Sequence, residues 1–385
     1  MHAYEWVLHS LGDKMNQIYI KTKVVSGEDS LERLGKFEDK TIWLIADAFL
    51  VDNKSVNQIT EKLDKSNKVV VCRDVVPDPP LEVVAKGVAL IHSVQPDIII
   101  AYGGGSAIDT AKGVIYFSRL AKYEKELRFI AIPTTSGTGS EVTSVTVITD
   151  TQTQIKYPIE DDGILPDEVI LCPRLTVSVP PAVTANTGMD VLTHALEAYV
   201  ATGANTYSDA LAEKAIELVF HYLKQCYHEG DNLMARSRMQ EASNLAGSAF
   251  NIAGLGMNHS IAHQLGALFH LPHGLANALI LNGVIRKNAE YEDMKKRYAI
   301  LAKKLNIASL DTKDDDAVEL LCSEIRKCQQ EMTMPLTLRE CNVTTSMLQD
   351  KIDIIYQNAM NDRCTQTAKY VYSKGEIVNV LFGLL

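Results

Sequence analysis

Four of the chain's ten histidines lie close together, at His259, His263, His270 and His273. His259 and His263 are four residues apart, so a helix over this stretch would place both imidazoles on one face. Pro272 predicts a break, after which a new helix begins at His273. Two imidazoles on one helix face and a third after a turn could converge on a divalent metal. By itself, the cluster also fits histidines that only fill the core or the surface.

An aspartate and a fifth histidine, both earlier in the chain, extend this cluster. Asp190 and His194 are also four residues apart, in the helix predicted after Thr187. A carboxylate and an imidazole at this spacing are a frequent pair of metal ligands, although an aspartate also often caps a helix or pairs with a nearby histidine. Together with His259 and His273, the pair would supply one carboxylate and three imidazoles. Such a set leaves a coordination position for a substrate oxygen, as catalytic metal sites do.

Three consecutive glycines follow a predicted strand that ends at Tyr102. They belong to the loop Gly103–Ser106, and a predicted helix begins at Ala107. Glycines let the backbone approach a phosphate, and a helix N-terminus offers unpaired N–H groups and the positive end of the helix dipole. The loop therefore predicts a diphosphate site, although an ordinary strand-to-helix turn can have the same composition. It does not match the G-x-G-x-x-G fingerprint.

Two further polar groups follow strand ends of the same predicted sheet. Asp47 follows the strand Thr41–Ala46, where its carboxylate could accept from both ribose hydroxyls and favour NAD over NADP, or else cap the next helix. The loop Thr134–Glu141, after the strand Phe129–Pro133, carries hydroxyls and glycines that could hold phosphate and ribose oxygens. Polar loops at several strand ends of one sheet predict a dinucleotide crevice.

The elements that must position these residues change in character along the chain. Short runs rich in Ile and Val alternate with helical periodicity up to about residue 180, which predicts a mostly parallel sheet covered by helices. The predicted strands are Ile18–Val25, Thr41–Ala46, Lys68–Cys72, Asp97–Tyr102 and Phe129–Pro133. After Pro180, stretches rich in Ala, Leu, Glu and Lys predict helices alone, beginning with Val183–Thr202, Thr206–Glu229, Leu233–Gly254 and His259–Leu268.

This change predicts a sheet-containing domain over residues 17–180 and an all-helical domain over residues 181–385. Residues 1–16 form an extension with the pattern of a short amphipathic helix, which could fray, contact another subunit or dock to a partner. The charged run Asp311–Asp316 predicts a solvated loop.

Composition argues against several classes of protein. Hydrophobic residues make up 46% of the 385 residues, which is enough for a sizeable core. A net charge of −10, without a block of lysine or arginine, argues against a nucleic-acid partner. The sequence has neither an apolar run of the roughly 18 residues that a membrane span needs nor the pattern of a secretory signal. The seven scattered cysteines fit no zinc motif and predict free thiols in a reducing cytosol.

Four motifs, in their order along the chain, resemble those of the iron-containing alcohol dehydrogenases. They are GGGSAIDTAK, PTTSGTGSEVTSVTVITD, TGMDVLTHALEAY and NHSIAHQLGALFHLPHGLANA. Within that family, KTIWLIADAFL and HQLGALFHLPHGLANAL are most similar to members from bacterial microcompartments that use propanediol. The resemblance covers nearly the whole chain after residue 17. It implies a Rossmann-like N-terminal domain, a helical C-terminal domain and an active site in the cleft between them.

The resemblance also implies roles for particular residues. The metal ligands of the family fall on Asp190, His194, His259 and His273. His263 matches a residue beside the metal and the nicotinamide that is not a ligand, and His270 has no implied role. The implied NAD(H) contacts are Asp47, Asp78, Gly104, Gly105, Ser106, Thr134, Thr138 and Lys156. The implied metal is Fe²⁺, although three imidazoles and one carboxylate also suit Zn²⁺.

The reaction that the resemblance implies is the interconversion of a short-chain primary alcohol and its aldehyde, with 1-propanol and propanal as the expected pair. The metal would lower the pKa of the alcohol oxygen and polarise the aldehyde carbonyl. His263 would relay the proton, or orient the ribose and water chain that relays it. Two alternatives stay open. One is polyol oxidation of the glycerol dehydrogenase kind, and the other is a non-catalytic binding protein associated with a microcompartment.

The implied partners are a small alcohol or aldehyde and further copies of the chain, in a homodimer or larger assembly, with no nucleic acid and no membrane. The expected location is the cytoplasm or the interior of a bacterial microcompartment. In the second case, residues 1–16 could bind shell proteins or enzymes of the lumen.

Overall fold

A computed structural model of the chain describes residues 18–151 and 155–385, apart from the side chains of Ile155 and Lys156. The extension predicted over residues 1–16 therefore lies outside the described residues. In the described part of the chain, every helix is too short or too polar to cross a membrane.

Within the described residues, the strands form a six-stranded parallel sheet and a separate antiparallel pair. In chain order they are β1 (Lys23–Ser26), β2 (Thr41–Asp47), β3 (Lys68–Val75), β4 (Ile98–Gly103), β5 (Arg128–Pro133), β6 (Val145–Asp150), β7 (Ile155–Glu160) and β8 (Glu168–Leu171). The parallel sheet has the order β1-β8-β5-β4-β2-β3, and β6 pairs with β7. All of β4 and nearly all of β5 is buried, because both faces of this parallel sheet are covered.

The α-helices fall into two groups. Those among the strands are α1 (Ala48–Asp52), α2 (Asn57–Thr60), α3 (Leu81–Val94) and α4 (Gly105–Leu120). Those after the last strand are α5 (Pro181–Val200), α6 (Thr206–His228), α7 (Leu233–Ala253), α8 (Met257–Phe269), α9 (His273–Asn288), α10 (Glu292–Lys304), α11 (Asp314–Glu331), α12 (Thr345–Asn361), α13 (Arg363–Gln366) and α14 (Lys374–Phe382). We call residues 23–171 the sheet region and residues 181–382 the helical region.

Each region buries its own hydrophobic core. Alternate strand residues point to opposite faces of the sheet, so Trp43 and Ile99 pack on one face while Ile42 and Ile100 pack on the other. The helical region has one continuous core, to which α5 to α9 contribute most of the buried aliphatic side chains. The packed sheet thus holds the loops at the ends of its strands, and the packed helices form a second core beside it.

The backbones of the two regions are in direct contact at Gly139 and Gly247. Gly139 has a φ of +62° in the loop after β5, and a Cβ added there would lie 2.6 Å from the Cα of Gly247 on α7. A Cβ added to Gly247 would in turn lie 2.8 Å from the Cα of Gly139. Both positions need glycine because the two backbones are in direct contact.

The fold class predicted from the sequence is confirmed, with some elements corrected. The first strand begins at Lys23 rather than at Ile18, and β6, β7 and β8 carry no prediction. The loop predicted over Asp311–Asp316 is wrong in its second half, because α11 begins at Asp314 and places acidic residues at the positive end of its dipole. The domain boundary near residue 180 stays a prediction, and α5 begins beside it.

Candidate functional site

The four predicted metal ligands converge from three helices. Asp190 and His194 lie one turn apart on α5, His259 lies in the first turn of α8 and His273 is the first residue of α9. One donor atom from each lies within 4.8 Å of those of the others. Asp190 Oδ1 is 3.4 Å from His273 Nε2 and 3.7 Å from His259 Nε2. We call these four residues the metal centre.

The donor set of the metal centre fits a divalent cation. Asp190, His194 and His259 are buried, whereas 44% of the His273 side chain is exposed. His194 Nδ1 and His259 Nε2 are buried and make no hydrogen bond within the described residues. Buried polar atoms without a partner are costly, so their presence on two of the four convergent residues indicates a place for a ligand. One carboxylate and three imidazoles suit Fe²⁺ or Zn²⁺.

The electrostatics of the metal centre favours a positive charge. Although burial opposes its ionisation, the imidazoles of His273 and His194 hold the pKa of the Asp190 carboxyl far below its usual range. Burial lowers the pKa of His194 to about 3. Burial also acts to lower the pKa of His259, but the carboxylates of Asp190 and Glu197 raise it to about 9. The two carboxylates thus attract a cation to this point, as metal ligands do.

Glu197 is a functional candidate that the sequence reasoning missed. Its Oε2 accepts a hydrogen bond from His259 Nδ1 at 2.6 Å, which turns Nε2 of that imidazole towards the metal centre. The same carboxylate accepts the backbone N–H groups of Asn258 at 2.7 Å and His259 at 3.2 Å, at the N-terminus of α8. The signal was present in the sequence, because Glu197 lies three residues after His194 on one helix face.

Two buried amides form a second support that was also missed. Asn258 Nδ2 donates to Asn277 Oδ1 at 2.9 Å, and Asn277 Nδ2 donates to Asp190 Oδ1 at 2.7 Å. The first contact fixes which way the Asn277 amide faces, so its NH₂ group holds the Asp190 carboxylate. Asn277 lies four residues after His273, and this spacing on α9 is the signal that could have found it.

His263 lies beside the metal centre and outside its donor set. Its ring stacks on that of His273, with 5.4 Å between ring centroids, and 38% of its side chain is exposed. Its Nδ1 is 2.7 Å from Asp362 Oδ2. Although burial opposes its ionisation, this hydrogen bond keeps the pKa of the Asp362 carboxyl below its usual value. No local pattern could have revealed Asp362, because 99 residues separate it from His263.

His270 is exposed at the end of α8, where it takes a left-handed conformation with a φ of +55°. It is outside the group of residues whose donor atoms converge. The helix ends there, and Pro272 precedes the start of α9 at His273, as the sequence predicted.

The glycine loop and Asp47 meet at the ends of β4 and β2. Gly103 has a φ of +154°, and a Cβ added to it would lie 2.3 Å from Asp47 Oδ2. That oxygen accepts the backbone N–H of Gly104 at 3.1 Å, and burial raises the pKa of the Asp47 carboxyl. Asp47 stands at the N-cap of α1, but its side chain makes no capping hydrogen bond. The Asp47 carboxylate therefore holds the backbone of the glycine loop through this hydrogen bond.

The second polar loop packs against the glycine loop. Thr134 is buried and donates its backbone N–H to Gly103 O at 2.9 Å, whereas Thr138 is exposed. A Cβ added to Gly105 would lie 2.9 Å from Thr138 Cγ2. Ser106 is half-buried in the first turn of α4. A bare backbone at a helix N-terminus, flanked by a threonine hydroxyl, fits a diphosphate.

The last two predicted contacts lie on the antiparallel pair and the turn beside it. Asp78 is exposed and has a φ of +52°. The next residue, Pro79, accepts the backbone N–H of Thr149 at 2.9 Å, and Thr149 pairs with Lys156 across β6 and β7. The side chain of Lys156 lies outside the described part of the structure. The turn and the strand pair are thus joined, and their role stays a prediction.

Comparisons with known proteins give a consistent result over nearly the whole chain. The family described as iron-containing alcohol dehydrogenase matches residues 21–173, and its C-terminal part matches residues 184–384. The 1-propanol dehydrogenase PduQ of Citrobacter freundii is 44% identical over 371 residues, which cover 96% of this chain and 100% of that protein.

Solved structures agree with this result. The 1,3-propanediol oxidoreductase has a TM-score of 0.88 and 31% identity, and the match covers 97% of this chain and 100% of the other. The sulfoacetaldehyde reductase of Bifidobacterium kashiwanohense, solved in complex with NAD⁺, has a TM-score of 0.85 and 27% identity. That match covers 96% of this chain and 99% of the other.

Proposed function

Because the chain belongs to the iron-containing alcohol dehydrogenase family, we propose that it interconverts 1-propanol and propanal with NAD(H) as the hydride carrier. The observation that carries the proposal is the convergence of donor atoms from Asp190, His194, His259 and His273 within 4.8 Å of one another. Three of these residues are buried and the fourth is partly exposed, so a small substrate could approach from the side of His273.

Asp190, His194, His259 and His273 are the residues that would hold the metal, with Glu197 and Asn277 orienting His259 and Asp190. Bound there, Fe²⁺ or Zn²⁺ would lower the pKa of an alcohol and polarise an aldehyde carbonyl. The hydrogen bonds with Glu197 and Asn277 keep His259 and Asp190 in place. This favours fast chemistry, because the metal ligands need little reorganisation during the reaction.

His263 is our candidate for carrying the proton. In alcohol oxidation, the Nε2 of His263 would accept the hydroxyl proton, and in aldehyde reduction it would return that proton to the oxygen. NAD(H), when bound, would supply the hydride chemistry. The hydrogen bond from His263 Nδ1 to Asp362 supports this role, because it occupies Nδ1 and leaves Nε2 for exchange with substrate or water.

The sheet region would bind the dinucleotide and the helical region the metal. The backbone of Gly104, Gly105 and Ser106 at the start of α4 would hold the diphosphate. Asp47 would accept hydrogen bonds from the ribose, and Thr134, Thr138 and Lys156 would contact the cofactor. Asp78 would lie near its adenosine half.

The deciding experiment is NADH oxidation with propanal and NAD⁺ reduction with 1-propanol, after anaerobic reconstitution with Fe²⁺ or with Zn²⁺. We expect turnover with both substrates, loss of turnover on chelation, and weaker use of NADPH. Metal analysis of freshly purified protein identifies the resident ion. Faster oxidation of glycerol than of 1-propanol would favour the polyol alternative. Absence of turnover with tightly bound metal and NADH would favour a binding protein.

We propose in addition that the enzyme acts as a homodimer or larger assembly in the cytoplasm or inside a microcompartment. The support is the 44% identity to 1-propanol dehydrogenase PduQ, together with the amphipathic pattern of residues 1–16. Deleting residues 1–16 should abolish co-purification with shell proteins while turnover is retained. Unchanged co-purification would remove the docking role.

A further inference from the structure

A lysine is completely buried beneath the glycine loop. Lys112 lies on α4, two turns after the loop, and its side chain has 0% exposure. Its Nζ donates to Ser140 O at 2.5 Å, Val145 O at 2.8 Å, Thr143 Oγ1 at 3.0 Å and Ser140 Oγ at 3.1 Å. All these acceptors belong to one segment, residues 140–147, which begins at the end of the second polar loop and continues into β6.

Asp109 binds the same segment from the adjacent turn of α4. Its Oδ1 accepts from Ser140 Oγ at 2.6 Å, and its Oδ2 accepts the backbone N–H of Val147 at 3.1 Å. Ser140 Oγ thus bridges the carboxylate of Asp109 and the ammonium of Lys112. We call Asp109, Lys112 and Ser140 the staple.

The segment held by the staple continues into both parts of the proposed active site. Ser140 donates its backbone N–H to Thr138 Oγ1 at 3.2 Å, and Thr138 packs against Gly105 of the glycine loop. The next residue, Glu141, is buried and accepts from Asn244 of α7 at 3.3 Å. The staple therefore connects the first helix after the glycine loop, the second loop and the helical region.

A purely packing role does not explain a charged staple. Burial lowers the pKa of Lys112 to about 8, against the attraction of Asp109 and Glu141. Taking such charges out of water costs free energy, and apolar residues of similar volume usually pack a core at least as well. What the two charged side chains add is direction, because several hydrogen bonds of fixed geometry hold one loop in one register.

We propose that Lys112 and Asp109 are positioning residues for the dinucleotide, which set the distance between the two loops that would enclose its diphosphate. This inference rests on the proposed function. It predicts that loosening the staple weakens NADH binding while the metal centre, built on other helices, stays intact.

The test compares Lys112→Met and Ser140→Ala with the wild-type enzyme and with Tyr372→Phe. Ser140→Ala removes the bridging hydroxyl and keeps the backbone acceptor, so it reports on the staple even where Lys112→Met does not fold. Tyr372 donates its hydroxyl to Asn288 Oδ1 at 2.5 Å in the helical core, so its variant loses stability away from the staple. The measurements are NADH fluorescence titration, metal content, Tm and the separate effects on kcat and KM.

We expect both staple variants to raise the Kd for NADH about tenfold or more, equivalent to about 1.4 kcal/mol. KM for NADH should rise with it, while metal content stays stoichiometric and kcat at saturating NADH changes little. Tyr372→Phe should lower Tm and leave the Kd unchanged. An unchanged Kd in Ser140→Ala, whatever its Tm, would overturn the staple alone. Absence of NADH binding by the wild-type enzyme would overturn the proposed function and the staple with it.

Discussion

The metal centre and the proposed dinucleotide crevice, formed by the glycine loop, Asp47 and the loop Thr134–Glu141, are built in opposite ways. At the metal centre, side chains from α5, α8 and α9 supply the donors, and buried side chains such as Glu197 and Asn277 hold those donors. In the proposed crevice, the glycine loop follows a strand end, with Gly103 buried and Gly105 half-buried, and neither position leaves room for a Cβ. The metal centre thus depends on which side chains are present, and the crevice depends on where they are absent.

This difference separates the expected effects of mutation. Truncating a side chain of the metal centre or of its supports should lower metal binding and spare dinucleotide binding. Adding a methyl group at a glycine of the glycine loop should weaken dinucleotide binding and spare metal binding. Four experiments test this contrast, from the largest expected effect to the smallest.

The first experiment removes a buried ligand, with His259→Ala. We expect metal content to fall from stoichiometric to near zero and turnover to fall by about 10³-fold or more, because the Lewis acid contributes several kcal/mol to the rate. NADH affinity should change little. Elemental analysis and steady-state rates provide the measurement, and His270→Ala, at the exposed end of the same helix, is the matched control. Stoichiometric metal in His259→Ala would refute the ligand assignment.

The second experiment removes the proposed proton carrier, with His263→Ala. We expect metal to stay bound and kcat to fall by about 10²–10⁴-fold, as is typical of lost general acid or base assistance. Asp362→Asn should lower kcat less, because the imidazole remains but loses its carboxylate partner. Rates under saturating NADH, together with metal analysis, measure both effects. Full activity in His263→Ala would eliminate the role.

The third experiment keeps every ligand and changes only the support of one, with Glu197→Gln. An amide cannot accept the N–H groups of His259 and of the α8 N-terminus as strongly as a carboxylate does. We expect metal affinity to fall about 10–100-fold, as measured by competition with a chelator. Glu213→Gln is the control, since Glu213 accepts from the hydroxyl of Tyr199 away from the centre. Equal metal affinity in the two variants would mean that Glu197 serves packing alone.

The fourth experiment adds a single methyl group to the crevice, with Gly103→Ala. The new Cβ would displace the Asp47 carboxylate and strain a backbone with a φ of +154°. We expect stability to fall by about 1–3 kcal/mol and the Kd for NADH to rise about tenfold, with metal retained. Gly27→Ala has similar strain at a φ of +121° but meets no atom within 4 Å. That control should lose stability and keep its Kd, and a parallel loss of NADH binding in both variants would contradict the clash.

Local spacing predicted much of this arrangement. The pair Asp190 and His194 and the helix start at His273 follow from periodicity and from Pro272, and both are present in the structure. His259 and His263 are four residues apart on one helix, but they lie in two different environments. His259 points into the metal centre, and the ring of His263 lies 6.0 Å from it at a steep angle, against Asp362.

Local sequence patterns could not predict three features of the structure, each for its own physical reason. Asp362 joins the site through a contact across 99 residues, which no helical or strand period encodes. Strand β8 has only four residues, and β6 and β7 mix polar with apolar residues, so their patterns are weak. The acids at the start of α11 looked like a solvated loop because charge alone does not separate a loop from a helix N-terminus.

The backbone contact between Gly139 and Gly247 has a consequence for recombination between relatives. Each glycine occupies the space that a Cβ on the other would need. A chimera that joins the sheet region of one relative to the helical region of another needs glycine at position 139 from the first parent and at position 247 from the second. Glycine at both positions is therefore required for the two regions to pack together. Chimeras made to combine new cofactor and substrate preferences must keep both glycines.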